Sequence, residues 1–195
     1  MPAVDQKLRA GPPFIEVKEG SGRESRAPLS FTEIFQAHAA RVFRALVCLG
    51  VRASDAEDAC QEVMLVVHRR LPEFDDRAVE SWLWSICLRV ASDYRRSARV
   101  RREVMVDAMP DTALPDGHEQ TADGRRLEAR LLTVLSELDD DKRAAFVLYE
   151  IQELSIREIA EATGSPVQTI YSRLQVARAH VRAAFGATAG EGTPP

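Results

Sequence analysis

Gln168, Ser172 and Gln175 fall on one side of a helical stretch that runs on from "LSIREIAEATGSPVQTIYSRL", with Arg173 and Arg178 on its flanks. Amide and hydroxyl groups so placed can bond base edges in a DNA major groove, and glutamine can pair bidentately with adenine. Guanidinium groups at the sides can meet phosphates. At about 100° per residue, Ile170, Leu174, Ala177 and Val181 take the opposite face, and Tyr171 and Val176 stand beside the polar one. The stretch before it turns Ile156, Ile159 and Ala160 inward, and Thr163-Gly164-Ser165-Pro166 breaks the two helices apart. Gly164 supplies the backbone freedom for a sharp turn. The spacing suits a DNA-reading helix-turn-helix. It also suits a plain helical corner whose outer face is wet.

Two further clusters carry charge. Residues 53–80 hold eight acids and three arginines, net −5, and residues 82–102 hold six arginines and one acid, net +5. Such segregation offers an acidic face to a basic protein and a basic face to phosphates. Acids also gather at helix N-termini and arginines at helix ends without any partner. The whole chain carries −4, so its overall field repels a polyanion and it should bind DNA poorly alone.

Catalysis finds little support. His38, His68, His118 and His180 are scattered, and there is no nucleophile–base pair, phosphate-binding loop or repeated Glu-x-x-His. No catalytic residue, metal site or cofactor is expected. Cys48, Cys60 and Cys87 stand far apart inside hydrophobic segments and read as buried free thiols. No apolar run is long enough to cross a bilayer, and the N-terminus lacks a signal-peptide core. A cytoplasmic protein is the expectation.

The elements that must position these groups read as all-α. Ser30–Glu33, Ser54–Glu57, Ser155–Glu158 and Ser165–Gln168 each have the spacing of a capping box, in which serine and a carboxylate or amide satisfy free helix-start amides reciprocally. Helices are predicted at about residues 31–49, 55–70 and 78–99, then from 125 to 185 with breaks near Asp139, Glu153 and Thr163. Apolar residues at three- and four-residue steps give each a core face: Phe31, Ile34, Phe35, Val42, Ala45, Leu46 and Leu49 in the first, and Val79, Leu83, Ile86, Cys87, Val90 and Tyr94 in the third. Trp82 and Trp84 lie on the two borders of that last stripe. Residues 103–124 carry six acids, Pro110, Pro115 and Gly117 without Lys or Arg, and read as a solvated linker. The domains expected are a flexible tail at 1–29, a helical unit at 30–102, the linker at 103–124, a second unit at 125–186 and a disordered tail at 187–195.

At this point "LSIREIAEATGSPVQTIYSRLQVAR" resembles the promoter-reading helix-turn-helix of bacterial sigma factors of the extracytoplasmic-function group, in the sigma-70 family. Upstream, "DAEDACQEVMLVVHRRLPEFDDRAVESWLWSICLRVASDYRRSAR" resembles that group's other domain, region 2. The resemblance covers about residues 30 to 185 in the expected order. It implies a non-enzymatic initiation factor that binds core RNA polymerase, selects a promoter and helps open it. Asp58, Gln61, Glu62 and Met64 would dock on the coiled coil of the β′ subunit, with further contact to the β subunit. Phe74, Asp75, Trp82, Trp84, Arg89, Arg95, Arg96 and Arg99 would capture the −10 element and its separated strand. Gln168, Thr169, Tyr171, Ser172, Arg173, Gln175 and Arg178 would read the −35 element. An anti-sigma factor wedged against both domains is a further implied partner. Tyr171 and Val176 stand where many relatives carry arginine, and Arg89 where they often carry asparagine. The competing readings are a stand-alone regulator binding operators as a dimer, which would need a dimerisation helix or effector pocket, and an enzyme on a helical bundle.

Overall fold

The computed structural model describes residues 30–74, 78–104 and 122–186. Among these residues every regular element is helical, as the capping signals and the 3.6-residue periodicity predict. The first group consists of α1 (Phe31–Cys48), α2 (Ala53–Arg70), a 3-10 turn at Leu71–Glu73 and α3 (Val79–Val104). The second consists of α4 (Ala122–Ser136), α5 (Asp140–Phe146), α6 (Ile156–Thr163) and α7 (Val167–Gly186). Between α5 and α6 the chain widens into a π-helical turn at Val147–Ile151. The third helix runs five residues past its expected end, and α4 begins three residues early. Residues 105–121 of the expected linker, and both tails, lie outside the described residues.

Two of the four capping boxes form. Ser30 Oγ accepts from the Glu33 amide while the Glu33 carboxylate accepts from the Ser30 amide, and Ser155 and Glu158 repeat the arrangement at the start of α6. A cap of this kind contributes about 1 kcal/mol, enough to matter for a helix of eight residues. The other two do not form. The second helix starts two residues early, with Arg52 at the cap position, and Ser54 Oγ bonds Asp55 instead. Ser165 Oγ accepts from Arg173 Nη1 at 2.8 Å.

The end of α6 turns on Gly164, at φ 64° and ψ 23°. The Ser165 amide donates back to the Ala160 carbonyl and the Gly164 amide to that of Glu161, the paired bonds of a Schellman stop. Only a residue tolerant of left-handed backbone ends a helix this way, so the break read from the sequence is real and fixes the angle at which α7 leaves.

The predicted stripes of α1 and α3 are buried along their middle, with Phe31, Val79 and Tyr94 half-buried. Phe35 is exposed, its ring tilted on Phe31, and Trp84, expected on a border of the α3 stripe, is wholly buried. The buried arc of α2 is wider than one stripe, because α1 and α3 grip it from two sides. Ala56, Ala59, Val63, Met64, Val66 and Val67 all lie inside. Burial pushes the Cys48 thiol up to about 11 and Cys87 higher still. Inert buried thiols are what the sequence led us to expect for these two; Cys60 is half-buried, its thiol raised by the same desolvation.

The two groups pack directly on each other, α3 against α6 and α1 against the π turn. Arg41 of α1 donates from Nε to Gln152 Oε1 at 3.3 Å and from Nη2 to the Gln152 carbonyl at 2.8 Å. Ser81 Oγ donates to Glu161 Oε2 at 3.0 Å. Around the end of α1, the Leu49 carbonyl accepts from Arg95 Nη1 at 2.5 Å and from Arg143 Nη1 at 3.2 Å. The buried Arg143 fork also reaches the carbonyls of Leu135 (2.7 Å), Leu138 (2.8 Å) and Ser136 (3.1 Å). Burial, then the neighbouring Arg95, push its guanidinium below the ordinary arginine value. Gly50 leaves room for the fork: its φ is +92°, and a Cβ there would stand 2.3 Å from Arg143 Nη1.

Candidate nucleic-acid and docking interfaces

Helix α7 presents its polar face as the periodicity predicted. Ile170, Leu174 and Ala177 are buried against α5 and α6, so Gln168, Tyr171, Ser172, Gln175 and Val176 face solvent. Thr169 is half-buried at the edge. Arg173 and Arg178 stand on the flanks but are engaged within the second group. Arg173 bonds Ser165 and the Asp141 carboxylate. Arg178 pairs with Glu150 and lies 4.7 Å over the Tyr149 ring, contacts that hold its guanidinium above the ordinary arginine value. The face is therefore amide, hydroxyl and carbon, with its nearest cations oriented from the side.

Helix α3 carries the second surface. Trp82, Arg89 and Arg96 recur every seven residues, which in an α-helix is one stripe drifting by about 20° per step. At its N-terminal end Trp82 stacks on Phe74, ring centroids 4.3 Å apart and planes 17° from parallel. The 3-10 turn after α2, with the Phe74 amide bonded back to Leu71, delivers that ring. Arg96 lies 3.7 Å from Asp93, and Arg99 is exposed. Asp75 lies outside the described residues.

Two members of the expected −10 set are not on this surface. Trp84 has 0% exposure: its indole N–H donates to Glu80 Oε2 at 2.7 Å, and the Arg41 guanidinium lies 5.5 Å from its ring. Placing it on an open border of the stripe is corrected, because that border faces the second group. Arg95 turns into the contact between the groups, bonding the Leu49 carbonyl and pairing with Asp140 at 2.9 Å. It lines, with Arg52, Arg96, Arg99 and Arg143, a cavity of about 740 Å³ between them. Five guanidinium groups against the single carboxylate of Asp140 make this cleft strongly positive.

The acidic patch occupies the outer face of α2. Asp58 and Gln61 are exposed, and Glu62 is half-buried beside Tyr94. Burial, then the charge of Asp93, raise the Glu62 carboxyl above its ordinary value, while the Tyr94 hydroxyl bond opposes them. Met64 is corrected: it is 4% exposed and belongs to the core, for the reason given by the two-sided grip on α2. Leu65, one turn after Gln61, is 55% exposed on the patch. The sequence held a signal for it, since an apolar residue four after Gln61 falls off the Ala59–Val63–Val66 stripe.

Among the described residues no group of three or more metal-ligating side chains comes together, and no helix is long and apolar enough to cross a membrane.

Comparison with known proteins bears on both surfaces. A Sigma-70 region 2 family model matches residues 34–101 and a Sigma-70 region 4 model matches residues 128–181. The chain is 32% identical over 173 residues to the ECF RNA polymerase sigma factor SigE of Mycolicibacterium smegmatis, covering 88% of this chain and 67% of that one. It is 30% identical over 165 residues to the ECF RNA polymerase sigma factor RpoE of Cereibacter sphaeroides, covering 82% and 88%. Among solved structures, CnrH in complex with the cytosolic domain of CnrY superposes with a TM-score of 0.61 at 25% identity, over 80% of this chain and 88% of that one. The Bartonella quintana sigma factor RpoE, crystallised with the anti-sigma factor NepR, shares the fold at a TM-score of 0.67 and 19% identity, over 80% and 96%.

Proposed function

The chain belongs to the extracytoplasmic-function group of sigma-70 factors, and from this premise we infer how its surfaces divide the work of an initiation factor that directs RNA polymerase to promoters. The outer face of α2 docks on the polymerase through Asp58, Gln61 and Glu62, with Leu65 in the role expected of Met64. The Phe74–Trp82 stack receives an unpaired base of the −10 element, and Arg89, Arg96 and Arg99 follow the backbone of the separated strand. The face of α7 reads the −35 element. The observation that carries this division is the stacked, half-buried aromatic pair at the head of a stripe that continues through Arg89 and Arg96. Base–aromatic stacking contributes about 1–3 kcal/mol per base and tolerates any sequence, which is what holding an extruded base requires.

One relative of this fold is known with an anti-sigma factor bound, and another with the cytosolic domain of CnrY. The same kind of partner for this chain is part of the proposal, as is a cytoplasmic location and the absence of enzymatic activity. A free subunit of net charge −4 leaves promoter affinity to the polymerase, which favours this reading over a stand-alone dimeric regulator.

Run-off transcription with purified core polymerase tests the proposal. The unaltered chain should give discrete start sites, and Asp58→Ala/Gln61→Ala should lose most of them by failing to bind core, with its melting temperature unchanged because both side chains are exposed. Transcription indifferent to the pair would remove the docking surface. The chain without polymerase should show no tight promoter binding at physiological salt.

A further inference from the structure

The reading face of α7 is unusual in what surrounds its amides. Tyr171 is 54% exposed and Val176 50% exposed, although buried positions for apolar side chains are adjacent on the same helix. Around the helix axis they flank the stripe of Gln168, Ser172 and Gln175, one on each side. In the first three turns, where a recognition helix meets base edges, the lone guanidinium is that of Arg173. It points away from the reading face, tied to Ser165 Oγ at 2.8 Å and to Asp141. Arg178 is likewise tied to Glu150 and stacked on Tyr149. The exposed Arg182 lies 15 residues, about 22 Å, beyond the helix start, abreast of backbone rather than of the bases read by the first turns. Ser172 directs its hydroxyl proton to the Gln168 carbonyl of its own helix at 3.1 Å, leaving it an acceptor.

This inventory excludes one half of the base code and matches the other. Guanine is specified by a free arginine or lysine paired to O6 and N7, and the reading turns offer none. Adenine is specified by a glutamine amide at N6 and N7, and thymine by carbon surface against its 5-methyl group. We propose that α7 selects A·T pairs at the positions it faces, with Gln168 and Gln175 on adenine edges and Tyr171 and Val176 on thymine methyls. This inference rests on α7 being the −35 reader; it names which bases that reader takes. Ser172, as an acceptor, can receive from an adenine N6 or a cytosine N4 amine and leaves the choice to its neighbours.

The test uses holoenzyme assembled from the full chain and core polymerase, with a promoter pool randomised across the upstream element. The recovered element should hold A·T pairs where α7 lies. Each thymine in it is then replaced singly by uracil, which keeps every hydrogen-bonding edge and removes one methyl. Affinity should fall about fourfold at a contacted position, the value of one methyl-sized group withdrawn from water. With Tyr171→Ala holoenzyme, thymine and uracil should become equivalent at one of those positions. Val176→Ala should do the same at another. The uracil series with the unaltered chain does not depend on either variant folding. A recovered element with guanine at the contacted positions, or uracil binding as well as thymine throughout, overturns the inference while leaving promoter reading by α7 intact. A pool from which no upstream element emerges overturns both.

Discussion

Trp84→Ala should destabilise the first helical group by about 3–5 kcal/mol, the usual consequence of emptying a tryptophan-sized core site, whereas Trp82→Ala, two residues away, should leave it folded and disable promoter opening. Trp84 has no exposed surface, and its indole N–H is bonded to Glu80. Truncation would remove the ring that lies under Arg41 and leave Glu80 one donor short. Thermal melting followed by circular dichroism would read the loss. Trp82 is half-buried, its ring stacked on Phe74 and partly against the core, so its removal costs about 1 kcal/mol of aromatic contact and some packing, less than emptying the Trp84 site. Its effect should appear in the holoenzyme instead. Permanganate reactivity of unpaired thymines in the −10 element should fall about tenfold or more, from the loss of one base-stacking surface. Normal opening by Trp82→Ala holoenzyme would remove the stack from the proposed mechanism. A well-folded Trp84→Ala chain would show that this border of α3 is open after all.

Arg143→Ala should destabilise the chain by about 3 kcal/mol or more. The fork gives hydrogen bonds to four backbone carbonyls, of which Leu49 has a second donor in Arg95 and Leu135 a second donor in the Leu138 amide. A buried acceptor left without a partner costs about 1–3 kcal/mol, and the carbonyl of the buried Leu138 would lose the guanidinium that satisfies it. Arg143→Lys should rescue little, because an ammonium group cannot span several acceptors as a planar fork does. Gly50→Ala should weaken the same site from the other side, through a left-handed backbone and a Cβ pressed on Nη1. Urea unfolding of the three variants would compare them, and an Arg143→Ala chain as stable as the original would refute the role of the fork.

Local chemistry was readable in the linear order wherever it involved neighbours three or four residues apart. Ser30–Glu33, Ser155–Glu158 and Gly164 each act within one turn, and the structure realises all three. The face of α7 was readable for the same reason, since a single period fixes which side chains oppose Ile170 and Leu174. What escaped was decided by distant chain. Met64 and Trp84 are buried because a second neighbour covers a side of their helix that one stripe would leave open. Ser54 lost its cap when α2 gained two residues at its start, and Ser165 gave its hydroxyl to Arg173, eight positions on. Arg143 and Leu49 stand 94 positions apart, and nothing in either neighbourhood announces the pairing. Arg143 reads as one more charge on an amphipathic helix until the end of α1 is brought against it.

That one carbonyl of Leu49 accepts from arginines belonging to both halves has a thermodynamic corollary. Heat applied to the free subunit should find one cooperative unit, with loosening of either half felt at once by the other. Parting them is an uphill event, and the energy for it has to arrive from outside, when a much larger assembly grips each half separately.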